Sequence, residues 1–242
     1  MRSPEESRIL SFETGVQIHA EGSCLVRVGD THVLCSASLE DRVPDWLRGR
    51  GKGWITSEYG MLPRATHTRN MREAAKGRQQ GRTVEIARLI GRSLRQAVDL
   101  AALGEVTITL DCDVVNADGG TRCASITGAW VALALALKAR GLERALANQI
   151  AAVSVGILEG CPDRRQGLIL DLEYEEDHRA AVDCNLVSAR PMDAPAELSV
   201  VEFQSTGEGR SFSRQEAMGL LDLGLKGCAG IMAAQSQAVG LG

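Results

Sequence analysis

The sequence predicts an α+β fold in which mixed sheets pack on helices. Three observations predict it: a β-hairpin signal near the N-terminus, a long apolar helix after a glycine pair, and a capped helix near the C-terminus. The predicted order is strands, helix, strand, helix, and then strands and helix again. Both ends run from strand to helix, which hints at a duplicated unit within one domain of 242 residues, with halves of about 1–140 and 150–242.

The N-terminal half opens with two predicted strands, Ser23–Val28 and Thr31–Leu39, joined at a Gly-Asp hairpin signal. Residues 40–82 are polar, glycine-rich and basic, with little periodicity. We expect them to form a long loop, and loops of this length in compact domains tend to be functional or disordered.

An amphipathic helix is predicted over residues 83–103, because apolar side chains recur there every three, four and seven to eight residues. They are Ile86, Leu89, Ile90, Leu94, Ala97 and Val98. A strand follows at residues 106–110, where apolar and polar residues alternate, and it runs into Asp111.

The second half begins with a helix, Cys123–Lys138, which is apolar nearly all round and is therefore expected to be buried. The predicted strands after it are Ala151–Leu158, Gly167–Tyr174, Ala181–Val187 and Leu198–Gln204. Ser213 and Glu216 have the spacing of a capping box and predict the start of the last helix. Its predicted apolar stripe consists of Leu221, Leu225, Cys228 and Met232.

The composition is that of a globular chain, with 44% hydrophobic and 24% charged residues, which excludes disordered and fibrous proteins. The longest apolar run, Ala129–Leu137, is short of the ~20 residues of a membrane span. The N-terminal segment MRSPEESRIL has no apolar signal core. We therefore expect a cytoplasmic protein with no membrane partner.

The cysteines and histidines do not predict a zinc site or a disulfide framework. The seven cysteines include no CxxC pair and are odd in number, and the four histidines have no HExxH or similar spacing. Most of the cysteines are expected to be small buried residues in a reducing compartment.

Gly119–Arg122 (GGTR) follows a predicted strand and opens a predicted helix, which is the arrangement of an anion site. The first turn of a helix presents unpaired N–H groups and the positive end of the helix dipole. Glycine lets the backbone approach an anion, and Thr121 and Arg122 add a hydroxyl and a forked cation suited to phosphate oxygens. The alternative is a tight turn that caps a buried helix.

Arg82 lies in a second turn of the same design, Gly77–Thr83 (GRQQGRT), at the start of the other amphipathic helix. Two such helix starts could bring Arg82 and Arg122 to one phosphate. The alternative is a helix start with a solvent-facing arginine.

An acidic cluster extends from Asp171 to Asp183 and contains six carboxylates. Asp177 and Asp183 flank a turn and the start of the next strand. Such carboxylates can bind Mg²⁺ through oxygen ligands, or one of them can keep a raised pKa and act as an acid. The alternative is a solvated acidic hairpin.

Positive charge is concentrated between Arg42 and Arg95, where thirteen Lys and Arg face only four Asp and Glu. The loop within this stretch carries Arg64, Arg69 and Arg72, and charge spaced along a loop suits a phosphodiester backbone. Trp46, Trp54 and Tyr59 lie in or beside the same region. They could stack on bases, although core packing is the commoner use of a tryptophan.

Four segments in this order resemble the ribonuclease PH family: GKGWITSEYGMLPRATHTR, GRTVEIARLIGRSLR, DCDVVNADGGTRCASITGA and DLEYEEDHRAAVDCN. The resemblance runs from about His19 to the C-terminus. It implies duplicated β-α-β-α units, the fold shared with polynucleotide phosphorylase, the exosome ring and domain 2 of ribosomal protein S5. It also implies a phosphate-dependent 3′→5′ exoribonuclease that trims tRNA precursors and assembles as a homo-hexamer, a trimer of dimers.

The resemblance also implies roles for single residues. Arg82, Gly120, Thr121 and Arg122 match the family's phosphate site, so inorganic phosphate is the implied co-substrate. Asp177 and Asp183 match its catalytic aspartates, which are associated with Mg²⁺. Arg64, Arg69 and Arg72 match the loop arginines that guide RNA.

The chain departs from the family pattern at three places. The N-terminus lacks the family's RxDGR-like segment, so any RNA or subunit contact of that segment is not implied here. The segment Ser188–Ser199 is longer and richer in proline than the family's turn, and His178 stands beside Asp177 where a small residue is usual.

The leading hypothesis is phosphorolysis of RNA 3′ ends with release of nucleoside diphosphates. The alternative is a non-catalytic RNA-binding ring subunit of an exosome-like assembly, since one fold can serve both purposes. A third possibility is a hydrolytic exonuclease, which would release monophosphates without needing phosphate.

Overall fold

The computed structural model describes residues 2–160, 164–193 and 197–241. The strands are β1 Leu10–Thr14, β2 Gly22–Val28, β3 Thr31–Glu40, β4 Trp54–Met61, β5 Thr107–Asn116, β6 Asn148–Leu158, β7 Gly167–Leu170, β8 Val182–Pro191 and β9 Ser199–Gly207. The α-helices are α1 Glu73–Lys76, α2 Gly81–Arg95, α3 Leu100–Leu103, α4 Thr121–Ala139, α5 Tyr174–Asp177 and α6 Arg214–Val239.

The strands form two sheets that pack on helices, which confirms the predicted α+β fold class. The first sheet has the order β1-β2-β3-β5-β4, in which β4 is parallel to β5 and the other neighbours are antiparallel. The second sheet has the order β7-β6-β8-β9 and is antiparallel throughout. The division into two halves at residues 140–150 stays a prediction, although the two sheets fall on either side of it.

Helix α4 forms the centre of the core because it packs on strands of both sheets. Its Trp130 is fully buried, and its indole N–H donates to the Asn148 carbonyl at 2.9 Å. Gly128 allows close contact with the first sheet, since a Cβ there would lie 2.5 Å from Val26 Cγ1 and 2.9 Å from Cys35 Sγ. The buried apolar helix predicted from the sequence is therefore confirmed, and it fixes the position of the turn at its N-terminus.

Among the described residues, two helices are long and apolar enough to cross a membrane by length and composition alone, α4 and α6. In α4, 78% of the most apolar window is buried inside the protein, so its composition is explained by its place in the core. In α6 the buried share is 33%, because only one face packs on the second sheet.

The prediction of a long loop over residues 40–82 is wrong in part, because this segment contains strand β4 and the short helix α1. The β4 strand has only two buried side chains, Ile55 and Tyr59, so it lacks a clear apolar pattern. The helix predicted over residues 83–103 is also divided, since α2 ends at Arg95. Asp99 then caps α3 by accepting hydrogen bonds from the N–H groups of Ala101 and Ala102.

The strand predicted at Gly167–Tyr174 ends early, at Leu170. Asp171 has a φ of 55°, in the left-handed region, and turns the chain away from the sheet. Residues 174–177 then form α5, whose capping box consists of Glu173 and Glu176. The alternation of apolar and acidic residues here is therefore not the pattern of a strand.

Helix α6 begins at the predicted capping box, in which Ser213 Oγ accepts from the Glu216 N–H. Cys228 and Met232 are buried as predicted, whereas Leu221 and Leu225 are only partly buried and Leu220 and Leu223 are in the core instead. Six cysteines are free and buried, as expected, and Cys161 lies outside the described residues. Within Ser188–Ser199, residues 194–196 also lie outside them.

Candidate active site

The glycine turn lies where β5 has ended and α4 begins. Gly119 and Gly120 both have positive φ, 75° and 65°, a conformation that glycine adopts without a steric cost. No side chain caps α4, so the first N–H groups of this 19-residue helix are free to bind an anion. Helix α2, which carries Arg82 in its first turn, also begins without a side-chain cap.

One cavity of about 420 Å³ brings most of the predicted site residues together. Arg82 reaches it from α2, Gly120–Arg122 from the start of α4, Asp177 from α5 and Asp183 from β8. The two arginines therefore converge on one space, although they come from different helices. Such an arrangement can hold an oxyanion between two guanidinium groups and a helix N-terminus.

Two contacts fix the side chains of Thr121 and Arg122 at the start of α4. The Tyr59 and Thr121 hydroxyl groups hydrogen-bond at 3.0 Å, which joins β4 to the first turn of α4. Arg122 Nη1 donates to Gln204 Oε1 at 3.3 Å, which directs that guanidinium toward the second sheet. Tyr59 is 6% exposed, so its ring is not available for base stacking.

The proposed stacking role is also not supported for the two tryptophans. Trp46 and Trp54 pack edge to face with centroids 4.9 Å apart, and Arg95 lies 4.6 Å from the centroid of the Trp54 ring. They belong to a structural cluster beside α2 rather than to the cavity. Packing therefore accounts for Trp54, whereas Trp46 is 55% exposed and its role in base stacking stays a prediction.

Asp177 and Asp183 lie close enough for their carboxyl groups to share a proton. Burial, together with the nearby charge of Asp177, raises the pKa of Asp183 to about 6. Burial also raises the pKa of Asp177, while the charges of Arg122 and Arg82 act in the opposite direction. The pair is thus suited either to bind a cation or to hold a proton near neutral pH.

The pair also fits a magnesium ion. Asp183 Oδ1 is buried and makes no hydrogen bond, so one oxygen ligand is free to bind a cation. Within the described residues, no group of three or more His, Cys, Asp and Glu side chains gathers as a metal site. Mg²⁺ does not need one, because it commonly binds through one or two carboxylates, waters and substrate phosphates.

The other carboxylates of the predicted acidic cluster are engaged elsewhere. Asp171 pairs with Arg8 at 2.6 Å, and Glu176 pairs with Arg165 at 2.6 Å, with all four side chains at most 6% exposed. These buried pairs anchor the two ends of the segment that carries Asp177. The cluster is therefore neither a solvated hairpin nor a six-carboxylate metal site.

The predicted RNA arginines lie on the basic loop between β4 and α1 and are exposed. Arg64 Nη2 donates to the His67 carbonyl at 3.5 Å, and Arg72 lines a second cavity of about 810 Å³. That cavity adjoins the first, since Met61 and Arg82 line both. Arg69 is exposed on the same loop but lines neither cavity.

Sequence reasoning missed several residues that build the site. Asn185 and Ser154 line the cavity from the second sheet, and Ser154 Oγ accepts from the Leu172 N–H at 3.2 Å. Tyr174 lines it three residues before Asp177. The alternation in β8 places Asn185 on the same face as Asp183, so that signal was present in the sequence.

Residues 6–138 match the model of the 3′ exoribonuclease family, domain 1. The chain is 52% identical over 244 residues to ribonuclease PH of Brucella ovis. This alignment covers 98% of each of the two chains. Among solved structures, it resembles rice Rrp46 with a TM-score of 0.76 and 20% identity, over 98% of each chain. It also resembles the Archaeoglobus fulgidus exosome with RNA bound to the active site, with a TM-score of 0.75 and 22% identity, over 96% of this chain and 90% of that one. These two structural likenesses concern the fold.

Proposed function

This chain belongs to the ribonuclease PH family, and on that basis we propose that Arg82, Gly120, Thr121 and Arg122 bind the inorganic phosphate with which it degrades RNA. The enzyme is a phosphorolytic 3′→5′ exoribonuclease, a nucleotidyltransferase that acts in tRNA processing. Inorganic phosphate is its co-substrate and RNA is its substrate.

A single observation carries the proposed site: two arginines from two uncapped helix starts line one cavity with a pair of aspartates. A phosphate ion and an RNA phosphodiester are both anions, so bringing them together requires positive charge and fixed orientation. Arg82, Arg122 and the free N–H groups of α4 supply the charge, and the Tyr59–Thr121 hydrogen bond fixes the turn.

In the proposed reaction, an oxygen of orthophosphate attacks the phosphorus of the last phosphodiester of the RNA. The bond to the 3′ oxygen of the preceding nucleotide breaks, and the released nucleoside diphosphate carries the attacking phosphate as its β-phosphate. A proton from the one carboxyl of the Asp177–Asp183 pair that stays protonated would complete the new 3′ hydroxyl, since burial raises the pKa of both groups, and the ionised partner would be the main ligand of a cation.

We further propose that Asp177 and Asp183 hold Mg²⁺. When bound there, the ion would polarise phosphate oxygens near the scissile bond. The free Asp183 Oδ1 supports this assignment, because a buried carboxylate oxygen without a partner is otherwise unfavourable. Arg82 and Arg122 stand on the same cavity and offset part of the negative charge of the pair.

Arg64, Arg69 and Arg72 are proposed to guide the RNA strand toward this cavity. All three are exposed on the basic loop, so they can reach phosphates, and Arg64 would give up only its long hydrogen bond to the His67 carbonyl. Contacts of this kind add affinity that falls with salt, by a slope of about −0.7 per phosphate neutralised on a single strand.

The proposed assembly is a ring-shaped homo-hexamer, a trimer of dimers. One basic loop binds RNA weakly, whereas six loops around a pore raise the effective concentration of binding sites. Light scattering on the purified protein tests this: a mass of six chains is expected, and a fully active monomer would contradict it.

We also propose that the enzyme works in the cytoplasm without a membrane partner, where its buried free thiols would remain reduced.

The two alternatives make different predictions. A non-catalytic ring subunit would bind RNA without degrading it, but this chain retains the arginines, the threonine and both aspartates around one cavity. A hydrolytic exonuclease would release monophosphates and would not respond to phosphate.

The test compares Arg82→Ala and Arg122→Ala with Arg88→Ala at saturating RNA and graded phosphate. Arg88 is an exposed arginine on the same helix as Arg82 and lines neither cavity, so it controls for lost charge. Each site variant should lose at least about 10²-fold in rate, as for removal of one preorganised donor, while the control keeps wild-type activity. Wild-type phosphorolysis by Arg122→Ala would defeat the assignment.

A further inference from the structure

The cavity at the active site is lined by aromatic as well as charged side chains. Met61, His67 and Tyr174 line it together with Arg82, Arg122 and the two aspartates. Its volume of about 420 Å³ falls within the ~300–1,000 Å³ of small-ligand pockets. We propose that Tyr174, flanked by His67, stacks on the base of the 3′-terminal nucleotide, an inference that rests on the proposed function.

Tyr174 is one of only two tyrosines in the chain, and its side chain is 43% exposed. Its backbone is firmly held, because its N–H donates to Asp118 Oδ1 at 3.2 Å and its carbonyl accepts from the His178 N–H at 2.9 Å. Its hydroxyl makes no hydrogen bond within the described part of the chain. The ring is thus presented to the cavity by a fixed backbone, and its hydroxyl is not engaged in holding the fold together.

Two imidazole rings set the orientation of this tyrosine. The His178 ring is nearly parallel to it, with an interplanar angle of 7° and centroids 6.1 Å apart. The His67 ring meets it at 62° with centroids 5.8 Å apart. These distances are typical of aromatic contacts, so the tyrosine ring is oriented before any ligand arrives and less conformational entropy is lost on binding.

The charged and aromatic lining residues match the two parts of a nucleotide. When the terminal phosphates lie between the arginines and the aspartates, the attached base must lie within a few ångströms, and the aromatic side chains line the same cavity. A stacked base adds about 1–3 kcal/mol of binding and any base can stack. An exonuclease that removes one nucleotide after another requires that tolerance.

The test is an equilibrium binding titration without phosphate, so that no bond is broken, using short RNA with a 3′-terminal 2-aminopurine. Wild-type protein should quench the fluorescence of this base by stacking. Tyr174→Ala should abolish most of the quenching and weaken binding by about fivefold to 150-fold, while Tyr174→Phe should stay within about twofold of wild type. Met218→Ala, which removes an exposed side chain on α6 outside the cavity, is the matched control.

A second RNA with an abasic 3′-terminal position makes the test specific to stacking. Wild-type protein should bind it more weakly than the intact RNA, whereas Tyr174→Ala should bind both RNAs equally, because the stacking partner is already gone. The inference is overturned if Tyr174→Ala binds both RNAs as wild type does. It is also overturned if the losses of binding free energy caused by Tyr174→Ala and by the abasic position simply add. Either result would assign Tyr174 to a different contact, such as one with a neighbouring copy of the chain.

Turnover assays separate this inference from the proposed function. If wild-type protein releases no nucleotide in response to phosphate, the proposed function fails whatever the stacking result. If wild type is active, Tyr174→Ala should raise the KM for RNA and leave the KM for phosphate unchanged. An unchanged KM for RNA would overturn the stacking role alone.

Discussion

Arg8 and Asp171 form a buried ion pair that links the N-terminal segment to the segment bearing Asp177. The Arg8 Nε and Nη2 atoms donate to the Asp171 carboxylate at 3.0 and 2.6 Å, and the Arg8 backbone N–H donates at 2.8 Å. The same guanidinium donates to the carbonyl of Asp118, beside the glycine turn. It therefore ties the glycine turn and the segment that carries Asp177 to one point, and it holds Asp171 in its left-handed conformation.

Arg8→Met should destabilise the protein by roughly 3 kcal/mol, because the buried Asp171 carboxylate keeps the backbone N–H of residue 8 but has no nearer cation than Arg2, at 3.6 Å. The matched control is Arg27→Met, whose partner Glu13 is 57% exposed, and that change should stay below about 1 kcal/mol. Denaturant unfolding measures both. Equal effects of the two variants would contradict the structural role assigned to Arg8.

Gly119→Ala should disrupt the contact between the glycine turn and the segment that carries Asp177. A Cβ at Gly119 would lie 2.6 Å from the Leu172 carbonyl oxygen and 2.9 Å from the Tyr174 nitrogen. We expect a loss of roughly 3 kcal/mol in stability, from strain and overpacking together, and a rise of about tenfold or more in the KM for phosphate.

Gly141→Ala is the control for this prediction. Gly141 also has a positive φ, 66°, but a Cβ there would meet nothing within 4 Å. The variant should therefore lose only the roughly 1–2 kcal/mol of stability that a positive φ costs an alanine, and it should keep its KM for phosphate. If both variants behaved alike, crowding at the turn would not matter.

The stability of the metal-free protein should depend on pH through Asp183. Its pKa is raised to about 6 in the folded state, so between about pH 4 and 6 the folded chain binds more protons than the unfolded chain. This contribution to stability is present at low pH and is lost as the pH rises through about 6. Relative to Asp183→Asn, the wild-type free energy of unfolding should therefore fall by roughly 2 kcal/mol from pH 4 to pH 7.

Paired denaturant titrations at several pH values measure this difference, with Asp222→Asn on the exposed face of α6 as a control for the lost carboxylate. A wild-type stability that rises relative to Asp183→Asn over this range would show that the carboxyl is stabilised in its charged form. The assignment of a shared proton to the aspartate pair would then be wrong.

The glycine turn at the start of α4 was predictable from the sequence because its physics is local. A strand, two glycines and the start of a helix lie within a few residues of one another, and a similar glycine and arginine pattern occurs around Arg82 at the start of the earlier helix α2. What the local pattern could not provide was the convergence of Arg82 and Arg122, which depends on how α2 and α4 pack on the first sheet.

The parts that were mispredicted depend on partners far away in the chain. Strand β4 is stabilised by parallel pairing with β5, more than forty residues later, and its own alternation is weak. The turn at Asp171 depends on Arg8, 163 residues earlier in the chain. A window of local sequence contains neither partner, so alternation of apolar and acidic residues was interpreted as a continuing strand.

The measurement that tests the central claim most directly is the fate of labelled phosphate. The enzyme is incubated with a tRNA precursor, Mg²⁺ and ¹⁸O-labelled orthophosphate, and the released nucleotides are analysed by mass spectrometry. Attack by phosphate bound between Arg82 and Arg122 predicts nucleoside diphosphates labelled in the β-phosphate, at a rate that rises with phosphate and falls in the Arg122→Ala variant. Unlabelled nucleoside monophosphates, released at a rate independent of phosphate, would contradict the account.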